Sequence, residues 1–351
     1  MSNALKIVIP TAGWGTRIRP QTWSKPKPLV GLAGRAALDY LLDTFHSVPD
    51  LSTGAGQRPE AVEYVIIQDP FLGEKQIPPY MKEHYPEYHV DYVIQSSMRG
   101  QSDAIWQARK YLTGPMIMCF SDTLVETDFS FLLHEKADGV AWVKNVPDPR
   151  RFGVVELDRD GWVSRLIEKP VSIENNRVVV GCYYFREGRQ LVSAIEEQLQ
   201  HRKSFKGEYF LADAINIMIE RGMKMRTQSI DVWLDVGTIE TILETNRYLL
   251  GHGHDNTKSI QRENVKIVPP VFIHESAAIS NSTIGPNVSI DADCNITDSR
   301  VEDSILETGV VVAAAALKNS FLGRQARVQG SSAESTPMAL NIGDNSSIVL
   351  I

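Results

Sequence analysis

Only three cysteines occur in the 351 residues, at positions 119, 182 and 294, and no pair of them has CxxC spacing or a companion histidine at zinc-ligand distance. That excludes a disulfide framework and leaves no zinc or dithiol redox motif. Cys119 and Cys182 lie inside apolar, strand-like runs, where a small buried thiol is the expectation. No apolar run approaches the ~20 residues needed to span a bilayer. The opening residues carry no apolar signal core, which predicts a cytoplasmic protein. Positive charge is also scarce: 36 Lys and Arg against 43 Asp and Glu leave a net charge of −7. An acidic chain lacks the basic surface that nonspecific nucleic-acid binding requires. What remains is a chain with 43% hydrophobic residues, enough for a sizeable core, and a length that favours two domains over one.

Against that acidic background, one stretch stands out. Between Thr11 and Leu38 there are five basic side chains (Arg17, Arg19, Lys25, Lys27, Arg35) and no acidic one. The segment "TAGWGTRIRPQTWSKPKPL" follows the apolar run "LKIVIP". It is not a Walker A loop, which needs G-x-x-x-x-G-K-[ST], and it lacks the third glycine of a dinucleotide fingerprint. The spacing of Gly13 and Gly15 gives a tight turn whose backbone N–H groups can line up on a phosphate chain. Arg17 offers a bidentate fork to phosphate oxygens. Pro26 and Pro28 bracket Lys27 and restrict its backbone, which sets one ammonium charge in advance. The plainer reading, a solvated basic loop steered by prolines, is weighed against the rest of the chain.

The first two thirds alternate β-branched runs with amphipathic segments. "LKIVIP", "AVEYVIIQ", "HVDYVIQ" and "PMIMCF" read as strands; Ala36–Phe45 and Ser102–Leu112, the latter with Ser102 as a cap, read as helices. The alternation predicts βαβ units and a mostly parallel sheet, with ligands gathering at the carboxyl ends of its strands. Residues 49–60 look like a polar surface insertion and 251–263 like a linker after the helix "TIETILETNRYLL". Beyond it Ile273 and Ile279 are six residues apart, and Ile284, Ile290 and Ile296 continue at six-residue steps. That period predicts a β-helix of hexapeptide rungs over about residues 265–330, with "SSIVLI" adding a last strand.

Three carboxylate-bearing segments complete the set. Asp122 follows a buried strand and suits a Mg²⁺ ligand, although a lone Asp there is more often a turn former. Asp235, in "VWLDVGT", is a second carboxylate at an apolar strand end. "DRDG" reads as a hairpin turn, so Glu168 and Lys169 lie near the end of its return strand.

Taken together these residues resemble the sugar-1-phosphate nucleotidyltransferases, in order along nearly the whole chain. "AGWGTRIRPQTWSKPKPL" is similar to the family's glycine-rich signature, with Arg17 and Lys27 at its functional positions. "VIQSSMRGQSDAI" resembles the base-reading segment through Gln95 and Gly100. "FSDTL", "FGVVELD", "LIEKP", "VVGCYYF", "GEYFLADAI" and "VWLDVGT" follow with the expected order. The fold this implies is α/β: a Rossmann-like mixed, mostly parallel sheet flanked by helices, then a short left-handed parallel β-helix. The implied division is a catalytic domain over 5–250, a linker over 251–263 and a β-helix domain with its tail over 264–351.

The resemblance implies transfer of a nucleotidyl group to a hexose 1-phosphate by in-line attack, with pyrophosphate leaving. It implies Mg²⁺ held by Asp122 and Asp235, pyrophosphate held by Arg17 with the backbone of Gly13 and Gly15, and the nucleotide met also by Ala12. Lys27 would face the α-phosphate, and Gln95 and Gly100 the base. Gly153, Glu168, Lys169, Gly181 and Glu208 would take the sugar phosphate. The implied substrates are dTTP or UTP with glucose 1-phosphate, with GTP and mannose 1-phosphate as the rival pair. A homo-oligomer through the β-helix is expected, with no nucleic-acid or membrane partner. The competing class is a catalytically silent relative that binds nucleotide sugar, which would have lost charged site residues that this chain retains. An acyl-transferring β-helix is disfavoured because residues 265–330 contain only His274. Two departures from the family pattern bear on substrate preference: Ser121 where glycine is usual, and Trp14, available to stack on a ring or to pack.

Overall fold

The computed structural model describes residues 4–51, 62–201, 207–259 and 264–350. Residues 52–60 of the expected surface insertion and 260–263 of the expected linker lie outside them. Two compact units emerge: Met1–Gly13 with Leu41–Trp233, and Trp14–Tyr40 with Leu234–Ile351. The basic loop and residues 234–250 group with the C-terminal part of the chain, whereas the expected ranges 5–250, 251–263 and 264–351 are contiguous.

The first unit is built on a mixed sheet. Its order is Val163–Glu168, Gly153–Leu157, Arg177–Phe185, Met116–Cys119, Leu5–Pro10, Val62–Gln68, His89–Ile94. Leu5–Pro10 pairs in parallel with Val62–Gln68 and Met116–Cys119, and Val62–Gln68 with His89–Ile94. Arg177–Phe185 runs antiparallel to Met116–Cys119 and also to Gly139–Asn145, which carries Met225–Ser229 as a parallel neighbour. Ile7, Val8 and Ile9 are all fully buried, so this strand is covered on both faces, which is why it reads as an unbroken apolar run. One face is packed by helices Gln101–Gln107, Gly188–Gln200 and Leu211–Glu220 through Ala104, Ile105, Leu191, Ile195, Leu211 and Ile215.

The helix expected over Ser102–Leu112 is shorter, Gln101–Gln107, and Ser102 is not its cap. Gly100 holds that position, and Ser102 is buried in the first turn with its backbone N–H donated to Tyr209 O. All three cysteines are buried with free thiols, as the apolar runs around Cys119 and Cys182 predict.

The second unit contains a coil of short parallel strands that fits a left-handed β-helix. Three ladders line its interior: Ile267, Ile284, Val301 and Leu317; Ile273, Ile290, Leu306 and Leu322; Ile279, Ile296, Val312, Val328 and Ile348. The last ladder ends in strand Ser347–Val349, the addition expected from "SSIVLI". The six-residue step holds from Ile284 to Ile296 but contracts to five at Val301 and Leu306, so successive rungs are 17 and then 16 residues apart instead of 18, until the last rung, 20 residues on at Ile348. The corners allow this contraction by taking left-handed backbone. Asp298, Asp303 and Asn319, each within a five-residue step, have φ 49°, 44° and 52°, a conformation that short polar side chains tolerate. The expected linker is partly docked: Asn256 donates from Nδ2 to Ile273 O (2.8 Å) and accepts from Ile273 N (2.9 Å), like a ladder residue.

Candidate active site

In the first unit Gly153, Glu168 and Lys169, three of the residues expected to take the sugar phosphate, come together at one hairpin. Asp158 closes its turn by accepting from Asp160 N (3.0 Å) and Trp162 N (2.8 Å), with Gly161 at φ 83°. The register then puts Gly153 opposite Glu168, at the end of the return strand as the "DRDG" turn predicts. Lys169 follows with φ 49°, donates its N–H to Phe152 O (2.9 Å) and carries its Nζ 4.8 Å above the Phe210 ring. Burial pushes the Glu168 carboxyl above the usual glutamate range; Asp213 and Glu208 push in the same direction, and Lys169 opposes them. Glu168, Lys169 and Glu208 thus share one electrostatic neighbourhood, with Gly153 across the hairpin from Glu168.

A second junction joins the Gln95–Gly100 segment to Tyr209. Gly100 has φ 102°, and a Cβ there would lie 2.6 Å from Tyr209 N and 2.7 Å from Tyr209 O. Tyr209 N donates to Arg99 O (2.8 Å), and Ser102 N donates to Tyr209 O (3.0 Å). Gln95 is buried, with Nε2 bonded to Gly100 O (3.2 Å) and Asp103 Oδ2 (3.1 Å). The buried Asp103 also receives Arg99 Nη2 at 2.6 Å. Sequence reading missed Asp103, Arg99 and Tyr209; the i,i+4 spacing of Arg99 and Asp103 was the available signal.

Gly181 and Asp122 are neighbours through the backbone. Phe120 N donates to Gly181 O (3.0 Å), and Thr123 Oγ1 donates to Val180 O (2.8 Å), so Asp122 sits in a turn that Arg177–Phe185 fastens. Gly181 has φ 87° and leaves no room for a Cβ, which would lie 2.7 Å from Phe120 Cδ2. Ser121 is buried and Asp122 half-buried. Ala12 N donates to Ile67 O (2.9 Å), so this N–H is engaged inside the protein, one residue before Gly13.

The second unit holds Gly15, Arg17, Lys27 and Asp235. Gly15 is left-handed (φ 54°), caps the short 3₁₀ turn Thr16–Ile18, and accepts from Ile18 N (2.9 Å) and Thr22 Oγ1 (2.7 Å). Arg17 is exposed on that turn; Lys27 is half-buried between the buried Pro26 and Pro28. Trp14 is 48% exposed, so packing in a core is not its role. Asp235 ends strand Trp233–Asp235, and its carbonyl accepts from Thr245 Oγ1 (3.1 Å). Gly237 keeps space for its carboxylate, since a Cβ there would lie 2.7 Å from Asp235 Oδ1. Thr238 then caps the helix Ile239–Leu249 in a capping box with Thr241.

Among the described residues no group of three or more His, Cys, Asp or Glu side chains forms a metal-holding cluster. One or two carboxylate oxygens with substrate phosphates completing the shell is the donor set magnesium takes, and Asp122 and Asp235 match it in chemistry.

Residues 6–251 match the sequence model of the nucleotidyl transferase family. A glucose-1-phosphate thymidylyltransferase of Streptomyces griseus is 28% identical over 371 residues, covering 97% of this chain and 98% of the relative. The bifunctional protein GlmU of Methanocaldococcus jannaschii is 31% identical over 275 residues, 77% of this chain and 60% of the relative. A UDP-glucose pyrophosphorylase solved with UDP-glucose superposes at a TM-score of 0.58 and 16% identity, covering 71% of this chain and 99% of that one, a likeness of fold.

Proposed function

This chain belongs to the nucleotidyl transferase family, and on that premise we propose that it joins a nucleoside triphosphate to a hexose 1-phosphate and releases pyrophosphate. The observation that carries the reading is the backbone contact of Gly100 with Tyr209. It couples the Gln95–Gly100 segment to Glu208, and Lys169 over Phe210 extends the coupling to the Glu168 turn. A base-reading segment and a sugar-phosphate segment built on one junction suit a reaction that must align two substrates in line.

Little covalent work falls to the protein in such a transfer, so positioning and charge stabilisation do most of it. Arg17, with the backbone at Gly13 and Gly15, holds the departing pyrophosphate, and Lys27 neutralises charge at the α-phosphate. Lys169 binds the sugar phosphate, while Glu168, Glu208 and the backbone at Gly153 and Gly181 meet the sugar ring. Gln95, whose amide nitrogen is engaged by Gly100 and Asp103, shapes the base site and presents its edge. Asp122 and Asp235 would hold Mg²⁺, which when bound would offset the negative charge of the substrate phosphates.

The full-length likeness to glucose-1-phosphate thymidylyltransferases supports dTTP or UTP with glucose 1-phosphate as the pair. The test is pyrophosphate release across four nucleoside triphosphates crossed with several hexose 1-phosphates, with Mg²⁺ present or chelated. One pair that dominates and depends on Mg²⁺ supports the reading; nucleotide binding without turnover across the panel overturns it. We also propose a homo-oligomer through the coil, which a monomeric mass at micromolar concentration would refute.

A further inference from the structure

We propose that Lys25 is a positioning residue for this reaction: buried against Glu307 and Asp344, it moors the loop that carries Arg17 and Lys27 to the β-helix. The inference rests on the reading that Lys27 acts at the phosphates, and it gives the β-helix a part in the chemistry that no resemblance assigns to it.

Lys25 is the wrong residue for its surroundings unless it is paired. Its side chain is 3% exposed and those of Glu307 and Asp344 are 5% and 9% exposed. Its Nζ is hydrogen-bonded to Glu307 Oε2 and lies 3.6 Å from Asp344 Oδ1. Both carboxylates have further work on the same loop. Glu307 Oε1 lies 3.4 Å from Gly31 N, and Asp344 Oδ2 accepts from Ser24 Oγ at 2.7 Å. Burial pushes the Glu307 carboxyl up while Lys25 pulls it back. Asp344 is also raised by burial, but Ser24, Lys25 and Arg324 outweigh that and hold it below the usual range. Gln21 adds a neutral mooring, its Nε2 lying within 2.8–3.1 Å of Phe321 O, Asn341 Oδ1 and Ile342 O.

These contacts bracket Lys27. Ser24 and Lys25 precede it, Gly31 follows it, and the buried Pro26 and Pro28 flank Lys27 within the five residues between. The chain's freedom at Lys27 is thereby set by groups that belong to the coil. A buried pair is a weak source of net stability but a strong specifier of one geometry, since a lone buried charge is costly in any other arrangement. A displacement of about 1 Å in a group that acts on the transition state costs ~10²-fold in rate.

The experiment compares wild type, Lys25→Met, Lys25→Arg and Ser24→Ala as full-length chains, by steady-state kinetics and by hydrogen exchange over residues 14–31 and 265–330. The expected result for Lys25→Met is a fall of ~10²-fold in kcat, a raised KM for the triphosphate and an unchanged KM for the sugar phosphate. Exchange over 14–31 should quicken while 265–330 stays protected, and Lys25→Arg should recover part of each loss. Should Lys25→Met fail to fold, Ser24→Ala carries the test, since it frees a tether without stranding a charge; it should show the same pattern, several-fold in size. Unchanged exchange over 14–31, or a loss of protection spread equally over the coil with kcat intact, overturns the proposal. If wild type turns over no substrate pair, it is the functional reading that fails, and the exchange data decide the mooring by themselves.

Discussion

Gly153 and Glu168 face each other as a register pair across their hairpin, and a Cβ on the glycine would stand 3.3 Å from Glu168 Oε2 and 3.1 Å from Val179 Cγ2. The space beside the carboxylate is open because residue 153 has no side chain. Gly153→Ala should therefore displace Glu168 and raise KM for the sugar phosphate roughly tenfold, leaving KM for the triphosphate within twofold. Equal effects on both Michaelis constants would remove Gly153 from the sugar side.

Glu168 itself should trade stability for activity. Its folded pKa is raised, by burial first and then by Asp213 and Glu208, with Lys169 opposing. A raised carboxyl favours the folded state fully only below the ordinary glutamate pKa; that contribution is lost as pH rises through the folded value. Glu168→Gln should then melt higher than wild type at pH 8, with the gap closing toward pH 4, and should turn over sugar phosphate poorly. Thermal melts at the two pH values check the sign, and a lower midpoint for the variant at pH 8 would reverse it.

Lys27→Ala should lower kcat by roughly 10²–10³, the usual loss when one preorganised charge facing a transition state is removed. Circular dichroism should show an intact fold. Near-normal turnover would leave the half-buried lysine with no role in the chemistry.

Two left-handed glycines allow a paired test. Gly114 has φ 74° with nothing within 4 Å of a would-be Cβ, so Gly114→Ala should cost only the backbone term of about 1–2 kcal/mol. Gly100→Ala adds a collision with the Tyr209 backbone. It should destabilise more and also raise KM for the triphosphate, because the Gln95–Gly100 segment must shift. Similar denaturant midpoints for the two variants would mean that the junction yields easily.

Asp122→Asn should raise the Mg²⁺ concentration needed for half-maximal pyrophosphate release, and chelation should abolish release in wild type. Turnover that persists without divalent cation would exclude the role given to Asp122 and Asp235.

Much of this was legible in the sequence where the signal is local. β-Branched runs gave the strands at Leu5–Pro10 and Val62–Gln68, "DRDG" gave the hairpin and hence the place of Glu168, and isoleucine spacing gave the coil. The antiparallel wing, in which Arg177–Phe185 borders Met116–Cys119, Gly139–Asn145 and Gly153–Leu157, was not legible, because pairing between distant strands leaves no mark in either alone. Lys25 was hidden by its neighbours: in a basic loop a lysine reads as one more exposed charge, and only carboxylates about 300 positions away make it a buried one.

That distance has a consequence for the order of events in the cell. Gln21, Ser24 and Lys25 meet partners 282 to 321 residues downstream. At ribosomal speeds of about 5–20 residues per second, on the order of 15–60 s pass between the emergence of this loop and that of its moorings. A nascent chain halted near residue 300 already carries Arg17, Lys27, Asp122, Lys169 and Asp235, yet neither Glu307 nor Asp344. On the mooring proposed above, the loop gains its anchors only once Glu307 and Asp344 have emerged, so an interrupted translation product would carry Arg17 and Lys27 on a loop that nothing yet holds in place.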